Sequence, residues 1–175
     1  QYPRYWHGYQ VLLRPLMVVF QVQELRYLGM MVFHLLFFVS AWLLAKKTKP
    51  VIAMLYVLTV ASAYIVVVAA CFQYLTTFLV LFSSLIVLLI RYGRQKPINY
   101  LMYFMVVGMV ENFFDFLTYP IITLGIPLIV LLWLQVRDNE AGFKENFGLM
   151  FTSSAAWGIG YAMTWIAKWG ITVVV

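Results

Sequence analysis

The chain has 175 residues, of which 65% are hydrophobic and only 10% charged. A soluble domain is nearer half apolar and a quarter charged, and would lack the polar surface to cover this much apolar side chain. The formal charge of +6 sits in short loops rather than on one polar face, so it reports on topology and argues against a nucleic-acid partner.

The long apolar runs lack alternation of apolar and polar residues, which predicts an all-α polytopic transmembrane bundle and not a barrel. Residues 1–26 are not a span: Arg14 and Pro15 interrupt their apolar stretch. They read as the tail of an extracytoplasmic loop leading into an interfacial or re-entrant amphipathic helix. The bundle, 27–175, is expected to hold about six spans, at 27–45, 51–70, 74–90, 98–117, 119–136 and 147–167. As one straight helix, residues 51 to 90 would be about 60 Å long, roughly twice the hydrocarbon thickness, so they must fold back, near "CFQY" at 71–74. A second hairpin turns near "DFLTYP", and Pro127, beside Gly125, is expected to kink the fifth span. The chain begins at Gln1 without an initiator Met and closes on the apolar "ITVVV", which reads as a fragment whose bundle continues past its C-terminus. A lone Cys71 makes no internal disulfide and sets no redox compartment.

Basic residues fall unevenly. "KKTK" and "RYGRQK" hold three each and "VRDNEAGFKEN" two, all on one side of a six-span bundle; Arg4, Arg14, Arg26 and Lys168 remain on the other. The positive-inside tendency puts the three loops in the cytoplasm, hence a multi-pass plasma (inner) membrane protein with both ends of this chain extracytoplasmic.

On that orientation "VENFFDFLTYP" draws notice. Asp115 lies near the outer boundary of the hydrocarbon, and Glu111, one turn deeper, shares its helix face. Acids in a span are costly and mark functional sites by default. The two should repel unless one is protonated, a divalent cation lies between them or a base answers them. The plainer alternative is a pair that hydrogen-bonds neighbouring helices. Arg4, His7, Arg14, Arg26 and Lys168 are the basic groups expected on that side. "PRYWHGY" gathers Arg4, Trp6 and His7, as a site or as an interfacial aromatic belt. In the sixth span Ser154, Gly158 and Ala162 suggest a small-residue packing face. Tyr161, Trp165, Lys168 and Trp169 occupy another face, where aromatics around a lysine bracket a lipid phosphate or simply let the lysine snorkel. His34, mid-span, reads as a helix-packing group. No paired-His or Cys cluster suggests zinc, and no Gly-rich phosphate loop or nucleophile elbow is present.

Three stretches, "RYWHGYQVLLRPL", "ENFFDFLTYPIITLGIPL" and "GYAMTWIAKW", together resemble bacterial multi-spanning envelope proteins with the look of GT-C class glycosyltransferases. The resemblance implies sugar transfer from a polyprenyl-phosphate carrier to an envelope glycan acceptor on the extracytoplasmic side. It makes Asp115 and Glu111 the catalytic carboxylates, or helpers to one upstream of Gln1. It makes Arg4, His7, Arg14, Lys168, Trp165 and Tyr119 the groups for substrate and lipid phosphate. A transporter or flippase component using the acids and His34 along a path through the bilayer, and a non-catalytic membrane scaffold, are the competing readings.

Overall fold

The computed structural model describes residues 6–63, 65–93, 98–114, 119–138 and 142–174. They form eight helices and no strand: α1 Tyr9–Leu16, α2 Val22–Lys47, α3 Pro50–Ser62, α4 Ile65–Ala70, α5 Phe72–Arg91, α6 Tyr100–Phe114, α7 Ile121–Arg137 and α8 Phe143–Val174. The all-helical class expected from the apolar runs is the class observed.

Local chemistry sets the helix ends. The Gln21 backbone N–H donates to the Glu24 carboxylate at 2.8 Å, so α2 opens at Val22, ahead of the span expected from 27. It closes where the Thr48 hydroxyl and N–H both bond the Leu44 carbonyl. Pro50 then starts α3, in the first-turn position where its missing N–H costs nothing. The apolar run after Pro50 is not one helix. Near the end of α3 the Thr59 and Ser62 hydroxyls bond back to the Leu55 and Thr59 carbonyls, a competition that weakens helices, and the chain restarts as α4. The backbone is extended at Cys71, the N-cap of α5. Helix α7 runs on through Pro127, which is buried.

Pairings give the directions. Gly29 lies against Leu75, and the Lys47 ammonium donates to the Tyr92 carbonyl at 3.5 Å, so α2 and α5 run parallel. The Tyr103 hydroxyl donates to the Ser84 carbonyl at 2.8 Å and Thr76 to that of Phe114 at 3.4 Å, which makes α6 antiparallel to α5. Helix α8 runs parallel to α6: Asn99 and Met102 share a groove with Phe151 and Thr152, and Gly108 faces Trp157 and Tyr161.

The centre of the bundle is aromatic between α2 and α5. Phe33 meets Phe82 edge-on at 5.1 Å and Phe37 lies 5.6 Å from Phe82, with Phe33 and Phe82 wholly enclosed. Ser40 bonds the Tyr56 hydroxyl at 2.8 Å, tying α3 to α2. The outside is as apolar as the inside: Met31 is 71% exposed, Ile129 68% and Phe151 70%. Two helices, α2 and α5, are long and apolar enough to cross a membrane, while α3, α6 and α7 are shorter apolar helices.

One packing expectation is corrected. A Cβ on Gly158 would meet nothing, and Ala162 is exposed. The close approach runs instead through Gly108 and Gly160. A Cβ on Gly108 would overlap the Trp157 carbonyl, and one on Gly160 the Met105 carbonyl, so α6 and α8 touch backbone to backbone. The enclosed stripe of α8 is Asn146, Ser153, Trp157 and Gly160.

Candidate functional site

The helix directions send the basic chain segments to one end. Lys46 and Lys47, Arg91, and Arg137 each occupy the last turn of a helix, where the dipole favours cations. Arg137 bonds the Lys47 carbonyl and the Asp138 carboxylate, and Tyr92 donates to Asp138 at 3.1 Å, so three connections are tied together. Asp138 is held below the usual carboxylate range, chiefly by the hydrogen bond from Arg137 and then by that from Tyr92.

The opposite end gathers the residues singled out in the sequence. His7 has a left-handed backbone, φ 50°, just before α1. Next to it the Gly8 N–H donates to the Phe113 carbonyl at 3.0 Å, close to the C-terminus of α6. Only glycine fits there, because a Cβ would run into Phe113. Trp6 packs on Phe113 at 5.7 Å and donates its indole N–H to the Thr164 carbonyl at 2.9 Å. That carbonyl belongs to α8, so one indole spans both helices. The Lys168 ammonium stands 5.0 Å from the Trp6 ring centroid, a cation–π contact. Trp165 lies 4.9 Å from Trp169, and its indole nitrogen is buried without a hydrogen-bond partner among the described residues.

Glu111 is wholly enclosed, and Asn112 beside it nearly so. Glu111 follows the Gly108 contact by three residues, less than one turn, in the helix that packs closely on α8. Asp115 and Arg4 lie outside the described residues. Arg14 is exposed on α1 and donates to Gln10 at 3.2 Å. Tyr119 is 52% exposed and lies 5.9 Å from Tyr74, beside α5 rather than α8. His34 bonds the Met30 carbonyl at 2.7 Å, one turn back in its own helix. Among the described residues no three His, Cys, Asp or Glu side chains come together to hold a metal.

Trp6, His7, Glu111, Trp165 and Lys168 therefore share one end of the bundle, and Tyr119 lies at that end too, but against Tyr74 of α5. Sequence reasoning missed Asn112 and Thr164. Asn112 carried a signal, a second polar residue beside an acid in an apolar run; Thr164 contributes only its backbone carbonyl and carried none. Two grooves, of about 710 and 420 Å³, open between α5 and α6 and between α6 and α8, and Glu111 lines neither. No protein family, no curated protein and no solved structure matches the chain.

Proposed function

We propose that this is a multi-pass membrane protein of the cell envelope, whose Trp6–Lys168 end handles the polar head of a polyprenyl-phosphate sugar in the manner of a GT-C class glycosyltransferase. Membrane embedding is supported by the outward apolar side chains. Less than a quarter of the most apolar window of α2 is buried, unlike the core helix of a soluble protein. The gathering of basic helix ends at the far end supports a cytoplasmic assignment for that end.

The observation that carries the site is convergence: three stretches far apart in sequence meet at Gly8–Phe113, Trp6–Thr164 and Trp6–Lys168, with Glu111 deeper in α6. In the proposed reaction the acceptor oxygen attacks the anomeric carbon. The bond from that carbon to the carrier phosphate breaks, and the phosphate departs with the electron pair toward Lys168 and His7. The acceptor proton passes to a carboxylate, for which Asp115 is the candidate, with Glu111 in support. The complete enclosure of Glu111 favours a second reading, a scaffold in which this acid only joins helices.

The test is sugar transfer by the purified protein from a panel of polyprenyl-phosphate sugars, for wild type, Asp115→Asn, Lys168→Gln and Glu111→Gln, with thermal melting alongside. Turnover that Asp115→Asn or Lys168→Gln removes at unchanged melting temperature supports the transferase. Absence of turnover across the panel, with Glu111→Gln lowering the melting temperature, supports the scaffold.

A further inference from the structure

The groove between α5 and α6 belongs to neither end site. It extends from Thr76 and Phe114 at the Trp6 end to Arg91 and Asn99 at the basic end, with Leu12 of α1 also lining it. Its walls are apolar side chains such as Leu79, Val87, Met102 and Val106. Midway, the Tyr103 hydroxyl donates to the Ser84 carbonyl at 2.8 Å and the Ser84 hydroxyl to the Leu81 carbonyl, while the uncharged Ser83 hydroxyl is exposed along the wall. The mouth at the basic end differs. Arg91 is exposed and has no ion pair among the described residues. Asn99 accepts the Met102 N–H on its Oδ1 at 3.2 Å, which leaves its side-chain NH₂ able to donate.

We propose that this groove binds one anionic phospholipid, with its acyl chain along the α5–α6 wall and its phosphate on Arg91 and Asn99. Length suits a lipid chain. From Thr76 to Arg91, α5 rises ~22 Å, enough for one leaflet of a bilayer whose whole hydrocarbon is ~30 Å thick. The groove volume falls among those of small-molecule sites, ~300–1,000 Å³. Charge then selects the lipid: among the described lining residues Arg91 carries the charge, and its guanidinium beside the Asn99 amide NH₂ complements a phosphate left with net negative charge. Because that mouth lies away from Lys168, the lipid belongs to the leaflet opposite the proposed carrier. The site rests on the membrane embedding above and is independent of sugar transfer.

The experiment is native mass spectrometry of the full chain in detergent, titrated with phosphatidylglycerol and with phosphatidylcholine of the same acyl chains. Wild type is expected to hold phosphatidylglycerol roughly tenfold more tightly. Arg91→Gln should erase that preference, and Val106→Trp should weaken both lipids by filling the groove. Lys144→Gln, a basic change elsewhere at that end, should leave the preference intact. Equal binding of the two lipids by wild type, loss of the preference in Lys144→Gln, or unaltered binding in Val106→Trp would overturn the site, as would a dimer mass replacing the lipid adduct. A chain that stays soluble and monodisperse without detergent would overturn the membrane embedding itself, and the site with it.

Discussion

Trp6 does more than a belt tryptophan needs to. A belt residue leaves its indole N–H to water or headgroups, whereas Trp6 gives it to a main-chain carbonyl of α8 and carries Lys168 on its face. Trp6→Phe keeps the ring on Phe113 and removes the hydrogen bond, so it is expected to cost about 0.5–1.5 kcal/mol, read as a lowered melting temperature. At the other end, the Asp138 carboxyl titrates below its ordinary value because Arg137 and Tyr92 bond its ionised form. A depressed folded-state value means stabilisation that is present above the ordinary carboxylate range and lost as pH falls through the lowered value. Wild type is therefore expected to melt higher than Asp138→Asn at neutral pH, the two converging in acid. Asp138 is exposed, so the gap is small. The acid Glu111 was legible in the sequence, since a carboxylate in an apolar run stands out. Its complete burial was not, because enclosure depends on how closely α8 approaches.

That closeness is a property of helix pairs. A stripe of small residues such as Ser154, Gly158 and Ala162 can be seen within one helix, but backbone contact needs a glycine on each helix at the same level. Gly108 and Gly160 are 52 positions apart and meet only once α6 and α8 lie parallel. Gly108→Ala and Gly160→Ala are each expected to force the helices apart, costing about 1–3 kcal/mol by thermal melting, while Gly158→Ala should change little. The helical class was legible because the apolar runs do not alternate. The interruption after Ser62 was not, because Val, Ala and Ser look continuous on any hydropathy measure. It coincides with hydroxyls bonded back to their own helix carbonyls.

For the whole molecule, the exposed apolar side chains of α2, α7 and α8 and the basic helix ends make opposite demands on solvent. With Cys71 replaced by Ala, a single cysteine at Lys49 should resist a membrane-impermeant thiol reagent in intact cells and react after permeabilisation. One at Trp169 should react in both. Labelling of both sites in intact cells would refute the proposed orientation. The meeting of the helix ends that carry Lys47, Tyr92 and Arg137 was anticipated from the succession of apolar runs, which places their connections on one side. Which aromatics would cross between helices was not, because the Trp6 bond to Thr164 joins positions 158 apart through a main-chain acceptor that leaves no trace in residue identity.

The same bond orders events during synthesis. The segment around Trp6 leaves the ribosome before α1 to α8, yet both of its anchors, the Phe113 and Thr164 carbonyls, are made later, the second of them within α8. That segment thus waits, undocked, until α8 has been made, and its docking signals that the α6–α8 pair has assembled.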